Sequence, residues 1–66
     1  MNVAVNGEEK EIPEGLTVEG LLNKLNIGKE RVAVELNLDI VPKNSFADVV
    51  LKDGDRVEIV SFVGGG

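Results

Sequence analysis

At 66 residues and without a cysteine, this chain reads as one small domain that must be held together by apolar packing. Its 42% hydrophobic content, nearly all Val, Leu and Ile, is sufficient for that. Twelve acidic residues against seven basic ones leave a net charge of −5, which argues against a nucleic-acid binder or a basic membrane-surface module and for a basic protein partner. His, Cys, Tyr and Trp are all absent, and with them the commonest acid–base, nucleophilic and metal-binding side chains, so an autonomous enzyme is not expected.

Residues 1–5 alternate with period two and place Met1, Val3 and Val5 on one face of a strand. Asn6-Gly7 suits a type I′ hairpin, with Lys10, Glu11 and Ile12 on the returning strand. Glu8, Glu9, Glu11 and Glu14 lack the spacing of a calcium loop and read as a solvated face. After Pro13-Glu14-Gly15, Thr17 is a helix N-cap, and Leu16 and Leu21 occupy the positions of a hydrophobic staple. Val18, Leu21, Leu22 and Leu25 form one apolar stripe, while Asn26 and Gly28 mark the stop, giving a helix of about ten residues. Gly20 falls on the solvent side of this helix, where it costs roughly 1 kcal/mol relative to Ala, and the sequence offers no reason for it.

The stretch 31–37 alternates again, with Val32, Val34 and Leu36 inward. Ile40-Val41 is short and ends at Pro42, which belongs at an edge or an exit. Residues 43–46 suggest a turn or a single helical turn, with Phe46 packed into the core. Residues 49–51 read as a brief strand, and residues 52–55 as a tight turn that accounts for Asp53 and Asp55 without a catalytic carboxylate pair. Residues 56–63 make the longest strand. The order is β-β-α-β-β-β, an α+β chain in which one helix covers one face of a mixed sheet of four to five strands, the β-grasp or ubiquitin-like architecture.

The last strand carries the functional expectation. With Val57 and Ile59 inward, Val60 and Phe62 are apolar on the solvated face and form a candidate docking patch, unless the strand at 31–37 or the loop around Leu38 covers them. Gly64-Gly65-Gly66 follows, a stretch without Cβ atoms that is slender enough to thread a narrow tunnel. This divides the chain into a domain at 1–63 and a flexible glycine tail at 64–66. No signal peptide, lipidation motif or long apolar run is seen, so a cytoplasmic location without membrane contact is expected.

Asn6 with its turn, Gly15, Thr17-Val18, Leu21-Leu22, residues 33–37, Ile40-Val41-Pro42-Lys43, Asp53-Gly54-Asp55 and the terminal Gly65-Gly66 together resemble the sulfur-carrier proteins of thiamine biosynthesis, the ThiS family. The resemblance covers the whole chain, with Gly64 as one extra glycine. It implies a carrier rather than an enzyme, one that binds no cofactor itself. A ThiF-type adenylating partner would use ATP and Mg²⁺ to activate the Gly66 carboxylate, with Gly64 and Gly65 as the threading residues. A persulfide enzyme would then supply sulfur, and the resulting thiocarboxylate would serve a ThiG-type thiazole synthase. Three other readings remain open at this point: a molybdopterin-type sulfur carrier, a lysine-conjugated modifier, and a non-covalent β-grasp module with an inert tail.

Overall fold

The computed structural model describes residues 1–62; the expected tail at 64–66, and the end of the domain at residue 63, lie outside them. Five strands, β1 (Asn2–Val5), β2 (Glu8–Glu11), β3 (Val32–Leu36), β4 (Asp39–Val41) and β5 (Arg56–Ser61), form one sheet in the order β2-β1-β5-β3-β4. The helix α1 (Val18–Lys24) follows β2, so the observed order is β-β-α-β-β-β. β1 and β5 run parallel, and the other pairs are antiparallel. The sheet is therefore mixed, and this is the β-grasp architecture expected from the pattern.

The alternation read from the sequence decides which face is buried. Val3 and Val5 of β1, Val32 and Val34 of β3, and Val57 and Ile59 of β5 share one core with Val18, Leu21 and Leu22 of α1. Phe46, at 2% exposure, belongs to that core, as does Leu51. Pro42 ends β4, the strand at the sheet edge, where its missing N–H costs no ladder bond. Among the described residues no helix is long and apolar enough to cross a membrane.

Both ends of α1 follow the capping chemistry in its sequence. The Thr17 hydroxyl accepts from the Gly20 N–H at 3.0 Å. At the other end Asn26 takes a left-handed φ of 59°; its N–H donates to the Asn23 carbonyl and that of Ile27 to the Leu22 carbonyl, a Schellman motif with Asn in place of Gly. Asp53 and Asp55 hold their turn: Asp53 Oδ1 accepts from the Asn2 N–H at 2.8 Å and Asp55 Oδ2 from the Lys52 N–H at 2.7 Å.

Four readings differ from expectation, the first being the last strand, which ends at Ser61 and does not include Phe62. The helix has seven residues, not about ten, because the chain turns left-handed at Asn26 immediately after the Leu25 cap. The return strand of the first hairpin is Glu8–Glu11, earlier than the expected Lys10 to Ile12, since a two-residue Asn6-Gly7 turn brings Glu8 opposite Val5. The stretch 49–51 is not a strand of the sheet. It makes an isolated bridge between Val50 and Thr17, with Val49 O accepting from the Val18 N–H and the Leu51 N–H donating to Leu16 O. Its backbone is satisfied by the residues that open α1, so it ties the helix to the loop instead of widening the sheet.

Candidate functional site

β5 lies in the middle of the sheet, between β1 and β3, and leads directly to the glycine segment. Val60 faces Ala33 across the β3–β5 ladder on the side away from the helix, and Phe62 follows the strand, its N–H donating to the Arg31 carbonyl at 2.8 Å. Val60 is 57% and Phe62 56% exposed, so neither β3 nor the Leu38 loop covers them. The alternation thus places both apolar side chains on the surface immediately before residues 63–66. Gly64, Gly65 and Gly66 themselves lie outside the described residues.

Beside Phe62 is a shallow cleft lined by Ile27, Gly28, Glu30, Arg31, Val32 and Ser61. Its charged lining is one residue of each sign, Glu30 and Arg31. Arg31 adjoins the end of β5 through the bond its carbonyl accepts from Phe62, Lys43 donates to the Glu30 carbonyl at 3.1 Å, and Lys29 pairs with Glu19 of the helix at 3.2 Å. Glu8, Glu9 and Glu11 occupy β2 at one edge of the sheet, whereas Lys43 follows β4 at the other. Acidic side chains are not confined to the β2 edge: Glu58 of β5 faces Glu35 of β3 on the open face, beside the Ala33–Val60 pair.

Among the described residues no catalytic constellation surrounds the end of β5. Among the described residues no group of three or more Asp or Glu side chains is arranged to hold a metal ion, and the chain has no His or Cys. What the arrangement presents is a central strand and two exposed apolar side chains at its end.

One contributor was not apparent from the sequence. Asn6 reads as a turn residue, yet its side chain reaches across to β5: Oδ1 accepts from the Ile59 N–H at 2.7 Å, and Nδ2 donates to the Ile59 carbonyl at 3.2 Å. The Asn-Gly dipeptide announced a hairpin; no local signal announced a partner 53 residues away.

The family model for the ThiS family matches residues 2–66, a span that includes the three glycines. The chain belongs to the ThiS family. It is similar to the sulfur carrier protein ThiS of Bacillus subtilis, with 42% identity over 50 residues covering 76% of each chain. The crystal structure of a thiamine biosynthesis protein (ThiS) from Geobacter metallireducens superposes with a TM-score of 0.85 at 40% identity, covering all of both chains. A thiazole synthase of Paramagnetospirillum magneticum is 52% identical over all 66 residues, but the chain spans only 20% of that protein's length. The same family-type segment thus occurs both as a separate small protein and as part of a larger one named for thiazole synthesis.

Proposed function

We propose that this chain is the sulfur carrier of thiamine thiazole synthesis, with the Gly66 carboxylate as the group that carries sulfur. The observation that supports it most is the family match running through residue 66, on a fold whose central strand leads to the glycines. The chain acts as a substrate of other enzymes and contributes no catalytic side chain, in keeping with its lack of His and Cys.

The chemistry follows from what a carboxylate lacks. A free carboxylate is a poor electrophile at neutral pH because oxide is a poor leaving group. A ThiF-type adenylating partner, using ATP and Mg²⁺, remedies this: a Gly66 carboxylate oxygen attacks the α-phosphorus, pyrophosphate departs, and an acyl-adenylate results. The terminal sulfur of an enzyme persulfide then displaces AMP to give an acyl disulfide. A second thiol cleaves that disulfide, leaving the Gly66 thiocarboxylate and a new disulfide on the sulfur-donating side. Gly64 and Gly65 provide the narrow segment that enters the active site, since a Cβ at either position would widen it. Val60 and Phe62 provide an apolar contact for the adenylating partner beside that segment.

A ThiG-type thiazole synthase is the acceptor of the sulfur. The relative in which a segment like this chain forms part of a thiazole synthase supports that assignment. ATP, persulfide donor and acceptor enzyme meet in the cytoplasm, where we place the chain. A molybdopterin-type carrier would share the activation chemistry, but the relatives named for thiamine biosynthesis and thiazole synthesis favour the thiamine route.

The deciding measurement is the intact mass of the protein taken from cells. The carrier reading expects a chain ending in Gly66 and a fraction in which one oxygen is replaced by one sulfur. Consistent absence of that species under sulfur-replete growth, with an active adenylating enzyme present, would sink it. Deletion of Gly66 abolishes a carrier and leaves a non-covalent module intact, and thiamine auxotrophy on gene deletion separates the thiamine route from molybdopterin.

A further inference from the structure

β5 needs partners on both sides, because a central strand presents N–H and C=O groups alternately to its two neighbours. On the β3 side the ladder runs from Leu36 opposite Val57 to Val32 opposite Ser61, and it continues with the bond from Phe62 to Arg31. On the β1 side the main-chain ladder is much shorter. Ala4 faces Arg56 and Val5 faces Val57; the Ala4 N–H donates to Asp55 O and the Asn6 N–H to Val57 O. The next rung of a parallel ladder belongs to Ile59, but there the main chain has left: Asn6 has a φ of 50° and Gly7 of 85°, and the chain turns back into β2.

The Asn6 side chain takes the vacated place. A carboxamide carries the same acceptor and donor as a peptide group, and here both are used on one residue, the Ile59 N–H and the Ile59 carbonyl. Ile59 is a core residue at 8% exposure, so its polar groups have little access to water without this partner. β5 is consequently gripped on both sides as far as Ile59 and on the β3 side alone at Val60 and Phe62.

We infer that Asn6 is a positioning residue for the C-terminal arm: its carboxamide adds the last β1-side rung and fixes the direction in which residues 60–62 lead to the reactive end. This rests on the reading of Gly66 as that end. Holding the strand to Ile59 sets the course of residues 60–62 before a partner binds, so losing the rung weakens capture more than chemistry.

The test uses the full chain in native form and as Asn6→Gly, which accepts the positive φ and removes only the side chain. Amide order parameters and exchange are read first. Ser61 and Phe62 are expected to fall from the rigid range near about 0.85 toward about 0.6, and exchange at Ile59 to accelerate roughly tenfold to hundredfold. In ATP–pyrophosphate exchange with a ThiF-type enzyme, KM for the chain is expected to rise on the order of tenfold with kcat within about twofold. Ile12→Val serves as a matched core lesion at the opposite end of the sheet, beside the start of β1, and moves neither readout beyond its effect on melting. Asn6→Asp keeps an acceptor for the shorter bond and loses the donor, so it gives a partial change and decides the matter if Asn6→Gly does not fold. Native order parameters and native KM in the folded variant overturn the inference. Failure of the native chain itself to be adenylated overturns the sulfur-carrier reading, while order parameters and exchange still judge Asn6.

Discussion

Among the described residues four non-glycines hold a positive φ, and three are asparagines: Asn6, Asn26 and Asn37. Asparagine tolerates this region because its short polar side chain can bond the nearby backbone. Asn37 uses that freedom twice, its Oδ1 accepting from the Arg56 N–H at 2.9 Å and its Nδ2 donating to Asp55 at 3.0 Å. Leu38, the fourth, has a φ of 76° and is 77% exposed, so neither side-chain hydrogen bonding nor burial compensates its strain. Asn37-Leu38 has the two consecutive positive φ values of a type I′ turn, whose second place suits Gly. The left-handed penalty of about 1–2 kcal/mol exceeds the extra chain entropy of Gly, roughly 0.5–1 kcal/mol. Leu38→Gly is therefore expected to raise the urea midpoint, a gain of about 0.5–1 kcal/mol with unchanged m-value. A lower midpoint would mean that Leu38 packs more productively than its exposure indicates.

At the level of the element, α1 is too short to be stable as an isolated helix and depends on its two caps and on Val18, Leu21 and Leu22. The sequence signals for its start and stop are local, and both are realised. Gly20 had no explanation until Leu16 was placed. A Cβ at Gly20 would sit 2.7 Å from Leu16 Cδ1 and 3.3 Å from its Cγ, so the staple residue folds over the bare backbone of the first turn. Gly20→Ala gains about 1 kcal/mol of helix propensity, and displacing Leu16 from its rotamer costs about 0.5–1.5 kcal/mol. The single substitution is expected to leave stability nearly unchanged, whereas in a Leu16→Ala background the same change stabilises by about 1 kcal/mol. Chemical denaturation of the four proteins in this cycle measures the coupling, and strict additivity would refute the clash. The 49–51 stretch shows where local reading ends. An apolar β-prone run signals extended backbone, but which groups it bonds is set by the Leu16 to Val18 segment that reaches it.

For the whole molecule, the single helix leaves one sheet face open, and the two phenylalanines separate the two roles of apolar surface. Phe46 is buried at 2% exposure and Phe62 is 56% exposed. Phe46→Ala is expected to lose about 3–5 kcal/mol, enough to unfold much of a domain this small. Phe62→Asp is expected to stay within about 0.5 kcal/mol of native stability and to lower the efficiency of adenylation. Thermal melts and pyrophosphate exchange on the same samples separate the outcomes; a melted Phe62→Asp protein would place Phe62 among the packing residues.

Much of this was legible in the chain itself: the alternation that buries Val3, Val34 and Val57, the Thr17 and Asn26 caps, the Asp53–Asp55 turn, and the exposure of Val60 and Phe62 once Val57 and Ile59 face inward. These depend on residues within a few positions of one another, where backbone geometry alone relates side chains. Other features required the folded chain. That β5 lies centrally, parallel to β1 and antiparallel to β3, and that Asn6 completes its ladder at Ile59, are decided by groups brought together from opposite ends of the sequence. Periodicity specifies which face of a strand is apolar and leaves its neighbours open; those are chosen by the packing of the whole core and the need to satisfy every buried backbone group.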